Sequence, residues 1–425
     1  MMMPIKHAAQ FLNGAAFKPS DWGDEGLPIL RIAQLTGKPF DNYFDGEINR
    51  GLIIHDGDLL FSWSATIDAF IWDRGDAILN QHIFKVVPKK NADKRYLYYV
   101  IKAHAPRWAD DDAHGSTMRH IKKESLSNKV WIPDLEKQHA IADFLDRETR
   151  RIDQLIEAKR RFLTALDQKW AATVTCAVTN GVQSNVQRRK SKLSFDCRIP
   201  AHWEEARLGH IGRCANGINI GGEAFGSGTP FISYGDVHKN PELPTQVVGL
   251  VQAPLEDRSR YSVKTGDVFF TRTSETIEEI GFSSVCTRDM PDAVYAGFLI
   301  RFRPFKGKLV PQFSKYLFRN EALRSFFARE MMIVTRASLS QGLLQKLPVL
   351  LPPLEEQGEI AAHLQAIESK HQSISKKTRK SIKGLEEYRA SLVTHAVTGQ
   401  IDLANWGKHW QPDRRLEEIQ EAMRA

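Results

Sequence analysis

Two stretches of the chain carry apolar residues at three- and four-residue steps for much longer than the rest. In the first they fall at Ile141, Leu145, Ile152, Leu155, Phe162, Leu166, Trp170 and Val174. In the second they fall at Ile360, Leu364, Ile367, Ile374, Ile382, Leu385, Tyr388 and Leu392. This spacing predicts amphipathic helices. Proline opens each stretch, at Pro133 and Pro352, and glycine closes it, at Gly181 and Gly399. Those are start and stop signals of a helix. Between them only Gly358 and Gly384 interrupt the second copy. At the rise of a helix each would be about 60–70 Å long, too long for the inside of one small domain. Each stripe needs a partner, and the nearest is the other. The mixed charges on the remaining faces read as solvated surface.

Elsewhere the pattern changes to short β-rich runs: Leu27–Ile32, Asp58–Trp63, His82–Val87, Pro230–Tyr234, Asp267–Thr271 and Phe298–Arg303. Helical stretches follow near Lys94–His104 and Pro311–Met332. Strand runs followed by helices predict two α/β (α+β) globules.

The chain also repeats itself, which fixes its organisation. Pro133-Asp134-Leu135-Glu136-Lys137-Gln138 matches Pro352-Pro353-Leu354-Glu355-Glu356-Gln357 at an offset of 219 residues. The same offset holds to the end of each stretch, where Ala177-Val178-Thr179 matches Ala396-Val397-Thr398. A weaker repeat precedes each copy. Asn13-Gly14 resembles Asn216-Gly217, and Gly26–Leu30 resembles Gly228–Ile232. Gly57-Asp58-Leu59-Leu60-Phe61-Ser62 resembles Gly266-Asp267-Val268-Phe269-Phe270-Thr271. The expected segments are a first domain (1–132), a long helix (133–181), a basic linker (182–198), a second domain (199–351), a second long helix (352–402) and a tail (403–425).

Composition narrows the function classes. Apolar residues make up 42% of 425 and charged residues 26%, as in ordinary globular proteins. No apolar run is long enough for a membrane span, and the first residues lack the core of a secretory signal. Cytoplasmic location is the expectation. Cys176, Cys197, Cys214 and Cys286 form no CxxC pair, which argues against a zinc site or a disulfide framework. The net charge of +8 suits a nucleic-acid partner but is weak evidence alone. Its one concentrated stretch is 182–198, at about +4, around Arg188-Arg189-Lys190-Ser191-Lys192.

Chemistry-bearing motifs are missing. There is no G-x-x-x-x-G-K-[ST] phosphate loop, no G-x-G-x-x-G after a strand, and no Asn-Pro-Pro-Tyr or Asp-Pro-Pro-Tyr methyltransferase signature. The 14 histidines show no metal-ligand spacing. No catalytic residue, metal ligand or cofactor site is expected on the chain.

The two Pro-x-Leu-Glu-x-Gln starts, the Ala-Val-Thr ends, the Gly57–Ser62 and Gly266–Thr271 strands and Ile199-Pro200-Ala201-His202-Trp203 occur in order along nearly the whole chain. In this the sequence resembles the specificity subunits of type I restriction–modification systems. The resemblance implies two target-recognition domains separated by an antiparallel coiled coil of the long helices, with pseudo-twofold symmetry. It implies a non-catalytic reader of double-stranded DNA with a bipartite, asymmetric target. It implies two methyltransferase (modification) subunits and restriction (translocase/nuclease) subunits as partners, which would bring S-adenosylmethionine, ATP and Mg. Ile156 and Leu163 are either contacts for such a partner or a widening of the helices' own seam. One departure stands out: the first domain has no counterpart of Trp203 and Arg207-Leu208-Gly209 before Asn13. The resemblance implies that the tail, with Trp406 and Trp410, can complete that domain.

For DNA contact the expected residues lie on two loops per domain. In the first domain they are Ser62, Trp63, Ser64 and Thr66, with His114, Ser116, Thr117 and Arg119 ahead of Lys122 and Lys123. In the second they are Thr271, Arg272, Thr273 and Ser274, with Thr335, Arg336 and Ser338. Arginine can bond guanine at two atoms, and hydroxyls reach base or phosphate. Surface ion pairing is the alternative for each Arg, and packing is the favoured one for Trp63. The linker cluster reads first as a solvated charge run. Two rivals from other classes remain: a fused methyltransferase or nuclease, and a scaffold or solitary binder without sequence preference.

Overall fold

The computed structural model describes residues 1–113, 119–193, 198–274, 280–330, 337–403 and 406. They divide into two compact units, residues 1–161 with the described part of 378–425, and residues 162–377. The long helices run over Leu135–Asn180 and Leu354–Val397, and each contributes one half to each unit. Both end on a left-handed glycine, Gly181 at φ 75° and Gly399 at φ 74°. Glycine alone adopts that conformation at no steric cost.

In the first unit a four-stranded antiparallel sheet has the order Ala9–Asn13, Ile83–Pro88, Leu59–Ser62, Asp68–Ile71. A second sheet has the order Tyr43–Phe44, Leu27–Leu30, Ala77–Leu79, Ile53–Ile54. The helix Lys94–Asp112 buries Tyr96, Val100 and Ile101 against Phe61 and Phe84 of the first sheet. The same core continues into Ile141, Leu145 and Ile152 and into Leu385, Leu392 and Val393. In this unit the two helix halves run antiparallel, since Asp153 meets Arg389 at 3.0 Å and Arg160 meets Glu386 at 3.1 Å.

The second unit repeats the plan. Its four-stranded sheet has the order Gly212–Asn216, Leu299–Pro304, Val268–Thr271, Ser283–Val285. Phe270, Phe302, Phe313 and Phe318 pack with Val174, Val178, Ile360 and Leu364. Asp167 meets His371 at 2.9 Å across its own pair of helix halves. The stretch predicted as one helix, Pro311–Met332, is two: Pro311–Leu317 and Glu321–Glu330. The buried Asn320 between them caps the second through the Leu323 amide.

The motifs gain physical meaning here. The Gln138 side chain is buried and donates to the Asn91 and Pro133 carbonyls while accepting from the Asp93 amide at 2.8 Å. Gln357 donates to the Lys308 and Pro352 carbonyls and accepts from the Val310 amide at 2.8 Å. Asp93 and Val310 cap the domain helices. Each glutamine therefore fastens the start of a long helix to the start of the domain helix beside it. The Gly-Asp pair shapes a turn: Gly57 and Gly266 sit at φ 86° and 89°. Asp58 is then paired with Lys85 at 2.8 Å and Asp267 with Arg303 at 2.6 Å.

Three expectations are corrected. The first domain does possess an opening strand and turn. Met2–Pro4, Ile5–Ala8 and Ala9–Asn13 correspond to Glu204–Arg207, Leu208–Ile211 and Gly212–Asn216 at a constant offset of 203, and Met2–Pro4 pairs with Lys129–Trp131. The linker is not simply solvated. Arg188–Lys190 pairs with Arg198–Pro200, and Arg189 is bound by Glu205 and the Trp203 carbonyl. Most of the predicted stripe is buried or half-buried, from Ile141 and Leu145 to Val174 and from Ile360 to Leu392. Phe162 is 48% and Ile374 41% exposed, while Ile156 and Leu163 are buried and widen the seam. Trp406 of the tail packs edge-on against Phe144 at 4.6 Å; Trp410 lies outside the described residues.

Candidate nucleic-acid interface

In each domain the second strand of the main sheet is wholly buried, and the chain emerges from it into a crossing loop. Leu59–Ser62 and Val268–Thr271 are the two strands. Just past the first, the Trp63 amide donates to the His82 carbonyl at 3.3 Å, and the Trp63 carbonyl accepts from Ile121 at 2.8 Å. Just past the second, the Arg272 amide donates to the Phe298 carbonyl at 3.0 Å, and the Arg272 carbonyl accepts from Leu339 at 2.7 Å. Trp63 and Arg272 therefore occupy equivalent places, as do His82 and Phe298, and Ile121 and Leu339. Three separate chain segments meet at the same end of each sheet, one of them returning from the far side of the domain helices.

This geometry sorts the expected contacts. Ser62 and Thr271 have no exposed surface, and Ser64 has 6%. Ser62 spends its hydroxyl on the Ser64 carbonyl at 3.3 Å. These three are corrected: they hold the loop and do not face a ligand. Trp63 is half-buried, its indole packed against His82 and Phe84 at 5.2 and 6.1 Å and its Nε1 donating to Asn13 Oδ1 at 3.3 Å. Beyond it Ala65 takes a left-handed φ of 55° and Thr66 is exposed.

On the returning segment, Ser64 and His120 form an isolated bridge. Arg119 is exposed and pairs with Asp110, so its charge is shared with a carboxylate at the surface. In the second domain Thr273–Ser274 pairs with Ala337–Ser338; Thr273 is half-buried and Ser338 exposed. Arg272 is half-buried. The ion pair of this sheet goes to Arg303 and Asp267, and among the described residues none involves Arg272. His114, Ser116, Thr117, Thr335 and Arg336 lie outside the described residues. The sequence reading missed Asn13, His82, Asn219 and Phe298, which share these sheet ends. The repeat of Asn13-Gly14 as Asn216-Gly217 was the available signal for the first strand's place here.

No group of three or more His, Cys, Asp or Glu among the described residues is placed to hold a metal. No described helix is long and apolar enough to cross a membrane.

Comparison with known proteins agrees with this architecture. The chain is 23% identical over 379 residues to the MjaVIII type I restriction enzyme specificity subunit of Methanocaldococcus jannaschii, covering 84% of this chain and 82% of that one. It is 21% identical over 423 residues to the StySPI specificity subunit of Salmonella potsdam, covering 95% and 89%. A chain from a solved structure of a type I restriction–modification system shares the fold at a TM-score of 0.67 and 15% identity, over 93% of this chain and 98% of that one. The family model described as the type I restriction modification DNA specificity domain matches twice, over residues 2–165 and 200–384, and the chain belongs to that family.

Proposed function

We propose that this chain is the DNA-reading subunit of a type I restriction–modification enzyme and leaves the chemistry to its partners. One observation carries this reading. Two units share the strand order of the main sheet and a single mode of attachment to the long helices, yet present different side chains at the same sheet ends: Trp63 and His82 in one, Arg272 and Phe298 in the other. Equivalent frames with different tips suit two different half-sites, so the target is two-part and asymmetric. Phosphate contacts set register and a few base-edge contacts select sequence. Half-sites about one helical turn apart lie on the same face of the duplex.

Two modification subunits would supply S-adenosylmethionine-dependent adenine methylation, and restriction subunits ATP- and Mg-dependent translocation and cleavage. The place of work is then the cytoplasm. Phe162 and Ile374 are among the apolar residues that the long helices leave exposed, with Leu135 and Leu354 at their starts. They take the place of the buried Ile156 and Leu163 as candidates for a partner contact.

The test is co-expression with the modification subunit of its system and mapping of methyl-adenine in the host DNA. A two-part motif that disappears when this chain is deleted supports the reading. Methylation unchanged by the deletion overturns it in favour of a scaffold. Binding of S-adenosylmethionine by the purified chain alone would favour a fused enzyme.

A further inference from the structure

From Ala293 to Ile300 every residue is buried except one: Phe298 is 63% exposed, among the most exposed large apolar residues of the chain. Its neighbours pin it in place. The Gly297 amide donates to the Ile218 carbonyl at 2.8 Å, and Leu299 begins the buried strand Leu299–Pro304. The Phe298 carbonyl is held by the Arg272 amide at 3.0 Å. The ring is thus carried on a fixed backbone. In the first domain the equivalent ring, His82, is covered by Trp63 at 5.2 Å. Arginine stands at the Trp63 position in the second domain, and the aromatic ring is left open.

The surroundings are polar groups of a particular kind. Asn219 is exposed and its carboxamide lies directly against Gly297, where a β-carbon would overlap its Oδ1. Arg272 is joined to Phe298 through its backbone amide, and Thr273, next along the chain, pairs with Ser338. A carboxamide matches the major-groove edge of adenine, and a guanidinium that of guanine. An apolar side chain matches the one apolar feature of that groove, the C5-methyl of thymine.

Resting on the reading above, we infer that Phe298 is a specificity residue that packs on a thymine methyl in the half-site of the second domain, between base contacts from Asn219 and Arg272. An apolar wedge between base steps is the other use of such a ring, but a carboxamide and a guanidinium beside it favour base edges.

The experiment uses the complex of the full chain with its modification subunit and measures binding to target duplexes in which deoxyuridine replaces each thymidine in turn. Uracil pairs as thymine does and lacks only the methyl group. The second domain's half-site is identified as the half that relaxes in Arg272→Ala. At one thymine of that half, uracil is expected to weaken binding roughly three- to fivefold, the weight of one buried methyl group. Phe298→Ala should bind the thymine duplex more weakly and no longer distinguish it from the uracil duplex. The thermal midpoint should not move, because the ring is outside the core.

Equal uracil sensitivity in parent and Phe298→Ala overturns the inference. So does a half-site with no methyl-sensitive thymine, or a loss in Phe298→Ala that is uniform over all sequences, which would mark a wedge. A parent complex with no two-part motif at all instead overturns the underlying reading.

Discussion

Gly399 rests on the indole of Trp131: a β-carbon at that glycine would stand 3.1 Å from the ring's Cη2. In the other unit a β-carbon at Gly181 would stand 3.3 Å from Cζ2 of Trp203. The two glycines are equivalent ends of the long helices, but the two tryptophans are not equivalent in sequence. Trp131 comes from the closing strand of its domain, and Trp203 precedes the opening strand of its own. The first domain thus has a tryptophan at this joint that comes from its other end.

Gly399→Ala should therefore destabilise on two grounds. The left-handed backbone costs an L-residue roughly 1–2 kcal/mol, and the new methyl presses on the ring. Thermal unfolding should show a drop of that order or larger. A midpoint equal to the parent's would mean that the joint is looser than drawn.

Removing the glutamine clamp should cost more. Gln138→Ala takes their partner from the Asp93 amide and two carbonyls in a partly buried place, where water can reach some of them. A buried group left unsatisfied costs about 1–3 kcal/mol. A loss of roughly 2–4 kcal/mol in urea unfolding is expected. Gln138→Glu keeps the acceptor but sets a buried carboxylate oxygen against the two carbonyls, and should cost at least as much.

Glu205 gives a pH-dependent test. Burial works against its charge, but hydrogen bonds from Ser191, Arg189 and the Leu193 and Lys192 amides outweigh burial and hold its pKa down to about 2. The folded value lies below the ordinary 4.5, so its contribution is fully present above pH 4.5 and is lost as pH falls toward 2. Glu205→Gln should be less stable than the parent at pH 7. The gap in thermal midpoint should narrow steadily between pH 4.5 and 2, and a gap independent of pH would contradict this account.

Arg272→Ala should relax one base pair of one half-site and leave the other half unchanged. A two-atom arginine–guanine contact is worth about 1–3 kcal/mol of discrimination, so a tenfold or greater rise in off-motif methylation is expected at that position. Uniform weakening across sequences would instead identify a phosphate contact.

The long helices and the duplication were legible because their signals are sustained over more than forty residues. Most of the stripe is buried or half-buried as its spacing predicts. Partway along the helices the seam takes in Ile156 and Leu163 and leaves out Phe162 and Ile374, a local drift of the kind a 3.6-residue period accumulates against a regular repeat. The strand Met2–Pro4 is too short to show alternation, and its partner Lys129–Trp131 lies over 120 residues away. Phe298 was hidden for a different reason. An apolar residue that begins a buried strand looks like core in any local pattern, and only the three-dimensional placement sets it apart. Likewise Ser62 and Thr271 sit at the strand ends where contacts were expected, but the alternation that would mark them as inward is absent from strands buried on both faces.

The glutamine clamp has one more consequence. Gln138 and Gln357 grip only backbone amides and carbonyls of their domains. Nearly any side chain can occupy those positions without disturbing the grip. The fastening is blind to what the domain reads, so its surface residues are free to diverge under selection. A domain exchanged from another chain by recombination would meet the same fitting, and a new target could arise without redesign of the helices that carry it.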